Sequence, residues 1–354
     1  MGILFGGFLL LLLLSAFGVG KPNTDCLSRD MTTTINGYFL TTVFMTHFIQ
    51  YLSADMYNAV DWAYIYTNRA LGQLIVALFL FYSGYGVMES LKHKEGYIKT
   101  FPLKRILTLV VDFEIAAVIY LIVSCATGQP PTVRYAIEAF FAWESLGNSN
   151  WYVFAILYLY IATYFSFRFI PSRLTRGRGI SIALVFLFSV FYMWFMERHK
   201  GGWWYDTVLC YTAGMIFSCF ADRFRHIFCT KNRKWYAVAC LSLLVAFAVT
   251  YHFRSKSVWC FELLSILFAL LFVFATVRMK ASSPLYSYLG KNLFCYYIYQ
   301  RIPMIIFKDT LGTYNIYLYF LVCVVITIAI CQLMIPLYGK IHKQFDKITK
   351  GLSL

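Results

Sequence analysis

A histidine, His47, sits inside the apolar and aromatic stretch VFMTHFIQYL, residues 43–52. An imidazole titrates near neutrality, so it can take and return a proton at cellular pH. That is the service a weak hydroxyl nucleophile needs from a base. The other histidines, His93, His199, His226, His252 and His342, fall in loops or near the ends of apolar runs. Counted from Asn36, His47 lies about 16 Å along a helix at ~1.5 Å per residue, near the middle of a ~30 Å hydrocarbon core. Its helical neighbours include Gln50 and Tyr51, and either is placed to bond a ring nitrogen. The residues alone leave two readings open: a base held in a cavity, or a histidine that bonds a neighbouring helix.

Four more ionisable side chains fall in apolar runs: Asp112, Glu114, Glu262 and Arg301. Such groups face a protein interior or a wet cavity rather than lipid. Asp112 and Glu114 are two residues apart and point to different helix faces, so at most one is expected beside His47. Arg301, in YIYQRIPMI, is expected in the outer half of its span, snorkelling or paired with an acid. The segment LFLFYSGYGVMES supplies Ser83 and Tyr85 among small residues, where close helix packing is the plain reading. The basic and aromatic HKEGYIKTFPLKR that follows, with Lys104 and Arg105, would attract anionic lipid or hold the phosphates of a donor.

The elements that must position these groups are membrane helices. The chain has 354 residues, 60% hydrophobic and only 13% charged, about half the charge that a soluble surface needs. The expected fold is all-α, a polytopic bundle with spans near 2–19, 36–53, 70–88, 106–125, 150–167, 179–195, 206–221, 235–251, 258–277, 292–307 and 315–337. The net charge of +15 does not indicate nucleic acid, because the basic residues come as short clusters between apolar runs. Of the 31 Lys and Arg, 23 fall in one set of alternate loops and seven in the other, with Arg301 inside a span. The positive-inside rule then puts the C-terminus in the cytoplasm and the N-terminus outside. Residues 1–20 read as an N-terminal hydrophobic helix or signal-like segment, 32–340 as the membrane domain and 341–354 as a basic cytoplasmic tail. The ten cysteines form no CxxC pair and read as small buried hydrophobes, and no metal site is expected.

Taken in order, several motifs resemble the acyltransferase 3 family of integral-membrane O-acyltransferases. NGYFLTTVFMTHF places His47 ten residues after Gly37, LGQLIVALFLFYSGYG precedes the basic TFPLKRILTL, NSNWYVFAILYLY carries Asn150 and Trp151, and YSYLGKNLFCYYIYQRIP comes late. Asn36 stands where that family has Lys or Asp, and Ile156 stands where one branch has a glutamate. The resemblance implies a ten-helix core with one extra N-terminal helix. It implies an O-acetyltransferase that moves an acyl group from cytosolic acetyl-CoA to a cell-surface glycan hydroxyl, at the plasma membrane and without a resident cofactor. It gives His47 the acyl-transfer chemistry and Arg105 the donor's phosphates, with Lys104, Ser83, Tyr85, Gln50, Trp151 and Asn150 as binding residues. Covalent and general-base roles for His47 remain open at this point. The alternative is a glycan or lipid-linked sugar transporter without acyl chemistry.

Overall fold

The computed structural model describes residues 17–19, 23–53, 56–170, 175–229 and 233–352. Among them the chain is helical almost throughout, and seven helices are long and apolar enough to cross a membrane. The order is α1 Arg29–Ile49, α2 Ala59–Leu71, α3 Leu74–His93, α4 Tyr97–Phe101, α5 Thr108–Ala126, α6 Val133–Phe140, α7 Asn150–Arg168 and α8 Thr175–Met196. There follow α9 Leu209–Phe228, α10 Arg233–His252, α11 Val258–Thr276, α12 Pro284–Lys291, α13 Leu293–Tyr299, α14 Arg301–Phe307, α15 Leu311–Tyr314 and α16 Ile316–Leu352. The expected all-α membrane bundle is what the structure has. The expected span at 2–19 lies outside the described residues except for Phe17–Val19, which form β1 and pair antiparallel with β2, Met279–Ala281.

The helices sort by what covers them. In α3, 14 of the 20 residues are buried, which puts this helix at the centre of the bundle. No described side chain of α10 is buried, and its apolar surface runs all round, as a helix facing lipid requires. Helices α1 and α9 are long but carry threonines and charges, and fall short of the apolarity of a lipid-facing span. Each packs inside the bundle, where close approach matters more than hydropathy. Gly84 of α3 lies on the Tyr211 backbone of α9, and Gly214 of α9 lies on the Phe81 backbone of α3. A second reciprocal pair, Gly37 and Gly290, brings α1 onto α12. A methyl group at any of these four would overlap main-chain atoms that have no rotamer to escape by. The SGYG segment is therefore a packing site as well as part of a cavity wall.

Two departures from regular helix place functional residues. A π-helical stretch, Pro102–Leu107, joins α4 to α5 and carries Lys104 and Arg105. The expected single span at 292–307 is two short helices that meet at Gln300. The reason is Pro303, which has no N–H for the Tyr299 carbonyl and whose ring crowds it. Side chains satisfy neighbouring carbonyls at the break: Tyr120 Oη donates to Ile298 at 2.6 Å and Gln300 Nε2 to Tyr297 at 2.9 Å. Lipid would tolerate such an interruption only where protein covers it.

Glu262 is fully buried, and its carboxylate accepts the Leu209 N–H at 3.1 and 3.2 Å, closing the N-terminus of α9. It faces the protein interior, as expected of an intramembrane acid, and there holds a helix end. In the loop just before it, burial pushes the Asp206 carboxyl up to about 8. A carboxyl raised on folding favours the native state while protonated; that contribution is complete below about pH 4 and is lost as pH rises through about 8.

Three outcomes follow for stability in detergent. Gly84→Val is expected to cost about 1–3 kcal/mol by overpacking. Gly339→Ala, where nothing lies within reach of the added methyl, is expected to be neutral or to raise the melting temperature slightly. The wild-type melting temperature is expected to fall between about pH 5 and about pH 8, and Asp206→Asn to remove most of that fall.

Candidate functional site

Helix α1 starts at Arg29, seven residues before Asn36, so His47 falls in its last turn. Its burial, with 8% exposure, comes from what packs round it. The ring meets Tyr297 of α13 edge-on at 6.2 Å between centroids. Its Nε2 lies 3.2 Å from the Ser149 hydroxyl, across a sequence separation of 102 residues. Neither expected neighbour bonds the ring. Gln50 is exposed at the end of α1, and Tyr51 Oη instead accepts from Arg301 Nε at 2.9 Å.

Ser149 is delivered by a sharply turned segment between α6 and α7. Ala142 adopts φ +56°, a left-handed conformation that costs a non-glycine residue about 1–2 kcal/mol. Asn150 Nδ2 clamps that turn, donating to the carbonyls of Ala142 at 2.6 Å and Glu144 at 2.8 Å. Ser149 itself is 2% exposed and stands at the N-cap of α7, yet its hydroxyl caps no backbone N–H. It points to His47 Nε2 and to Arg301 Nη1, which lies 3.4 Å away. A guanidinium can only donate, so Arg301 uses a lone pair on Ser149 Oγ and leaves the serine's own proton available for His47. His47 Nδ1 has no hydrogen-bond partner among the described residues.

Arg301 therefore turns inward, against the expectation of snorkelling or pairing with an acid. The break at Gln300 is what aims it: Tyr297, one turn earlier, faces one cavity while Arg301 faces another. The first cavity, of about 990 Å³, opens on the face where the basic helix ends gather. Arg29, Lys94, Lys104, Arg105, Arg225 and Lys291 stand on its wall, and Tyr152 and Tyr297 line it beside His47. The second, of about 510 Å³, is lined by Ser149, Asn150, Trp151, Arg301, Trp203 and Trp204 among others. The two cavities share no lining residue; His47 lines neither, but it packs on Tyr297 of the first and lies 3.2 Å from Ser149 of the second.

The remaining candidates fall into place on this frame. Arg105 and Lys104 line the basic cavity; Arg105 Nε donates to Tyr97 Oη at 3.1 Å, and Lys104 makes a half-exposed pair with Asp346 at 3.3 Å. Ser83 and Tyr85 line the same cavity, and the Ser83 hydroxyl meets Tyr160 Oη at 3.0 Å. Asn150 and Trp151 belong to the second cavity, and Gln50 to neither. Asp112 accepts from His342 Nε2 with both oxygens at 2.9 Å, and His342 lines the basic cavity. Ser149 was not legible as a site residue, because a serine just before a helix reads as a cap. Tyr152 and Tyr297, on the wall of the first cavity, were likewise hidden among 28 tyrosines.

A family model described as an acyltransferase domain matches residues 37–335, nearly the whole chain. No curated protein and no solved structure matches the chain.

The clamp on the Ala142 turn is open to test. Asn150→Ala is expected to lower stability by about 1–3 kcal/mol, because buried carbonyls lose their donors. Asn150→Asp should fare no better, since a carboxylate cannot donate. Thermal melting in detergent reads both.

Proposed function

The chain belongs to this acyltransferase family, and from that premise we propose that it moves an acetyl or other short acyl group from acyl-CoA to a hydroxyl of a cell-surface glycan. The donor enters the basic cavity from the cytoplasm, and the acceptor enters the second cavity from outside. The C-terminus lies in the cytoplasm at the plasma membrane. The observation that carries the reading is the placement of His47: a buried imidazole that packs on Tyr297 of the first cavity and meets Ser149 of the second, two cavities with no shared lining residue.

The chemistry of each wall supports this division. Arg105, Arg29, Lys94 and Arg225 offer the fixed positive charge that a polyphosphate donor needs. The indoles of Trp151, Trp203 and Trp204 offer apolar faces for the C–H side of a sugar ring, and Asn148 and Glu144 offer partners for its hydroxyls. The excess of Lys and Arg on one set of loops supports the orientation. A sugar hydroxyl is a poor nucleophile at neutral pH, and His47 is placed to take the proton of an attacking hydroxyl and to return one to the group that leaves. Arg301, held by Tyr51 and Ser149, puts a positive charge where the tetrahedral oxyanion forms. Transport without acyl chemistry has no support from the family.

The test is CoA release and glycan acylation in membranes containing the protein. His47→Ala is expected to lower turnover about 10²–10⁴-fold while the protein stays folded, the usual loss for a positioned base. Arg105→Ala is expected to raise KM for acyl-CoA with a smaller change in kcat, the pattern of lost binding energy. Full activity in a folded His47→Ala protein would remove His47 from the reaction.

A further inference from the structure

We propose that Ser149 carries the acyl group as a covalent ester between the two cavities; this rests on the acyl-CoA donor assigned above. Three observations converge on its hydroxyl. It lies 3.2 Å from His47 Nε2, the geometry of a nucleophile beside its base. Arg301 Nη1 is 3.4 Å away, close enough to stabilise negative charge on the acyl oxygen once carbon is bound. Ser149 also occupies an N-cap and withholds its side chain from capping. A serine in that position ordinarily bonds the second or third N–H of the helix. Here the hydroxyl faces His47 and Arg301 instead, and the uncapped N–H groups at the start of α7 add partial positive charge beside the same oxygen.

The geometry of the cavities gives the relay a purpose. Direct transfer needs thioester and acceptor hydroxyl at one point, yet the cavities share no lining residue. Ser149 lines the second cavity, and His47, its partner, packs on Tyr297 of the first. In the first half-reaction Ser149 Oγ attacks the thioester carbonyl and its proton passes to His47 Nε2. The carbon–sulfur bond breaks, and the proton leaves with the thiolate as CoASH. In the second, an acceptor hydroxyl attacks the serine ester and gives its proton to His47. The carbon–Oγ bond breaks, the acylated acceptor departs, and Ser149 Oγ recovers the proton. No oxidant, reductant or metal enters either half.

The experiment uses the full-length protein in proteoliposomes with acetyl-CoA labelled in the acetyl group. Without acceptor, denaturing quench and mass spectrometry are expected to find one acetyl group on the peptide containing Ser149. That label should resist neutral hydroxylamine, which would strip an acyl-imidazole from His47. Ser149→Ala is expected to lose the label and at least 100-fold of acceptor-dependent turnover. Ser149→Cys, which keeps a nucleophile, is expected to trap label as a thioester. Turnover with acceptor but no acetyl on Ser149, or a Ser149→Ala protein within tenfold of wild type, overturns the relay and leaves the acyltransferase reading standing. Failure to release CoA from acetyl-CoA with any glycan acceptor would remove the donor assignment, and the relay with it.

Discussion

The 3.2 Å contact between the Ser149 hydroxyl and His47 Nε2 joins two segments 102 residues apart, and the site is built round it. His47 comes from the last turn of α1, and Ser149 from the start of α7. For the two to meet, α1 must be seated by its glycine contact with α12, and the 141–149 turn must be held by Asn150. Arg301 completes the group only because Pro303 breaks the 292–307 segment at Gln300. Each of these features costs local stability: a left-handed alanine, an unused cap, a broken helix. All three converge on one serine oxygen, which is how strain distributes when a site rather than a scaffold sets the geometry.

Much of the frame was legible in the sequence. The helical class follows from composition, and ten of the eleven expected spans fall on helices of the structure, with the first outside most of the described residues. His47 stood out because an imidazole in an apolar run is chemically conspicuous. Lys104 and Arg105 stood out because they belong to a short basic and aromatic stretch between apolar runs. The small residues of SGYG were readable as close packing, and that is where α9 approaches; the close contact of Gly37 with α12 was not readable.

What was not legible is mostly long-range. The partner of His47 is 102 residues away, and local periodicity pointed instead to Gln50 and Tyr51, which the helix end and Arg301 take out of play. Arg301 was visible as an anomaly but not its direction, since only the break at Gln300 turns it inward. The short helices α2 and α6 lack the length or apolarity of a span and left no signal on a span-counting scale. Starting α1 at Asn36 rather than Arg29 also shifted His47 along its helix. Charge at residues 29 and 30 looked like a loop, whereas Asp30 lies in the first turn behind a Ser28 cap.

The central claim is that acyl transfer runs from one face of the bundle to the other through the His47–Ser149 contact. The direct measurement confines labelled acetyl-CoA to the basic-face side of sealed proteoliposomes and a soluble glycan acceptor to the opposite side. The account requires label to appear on the acceptor while CoA stays in the donor compartment. Acylation only when donor and acceptor share one compartment would contradict it.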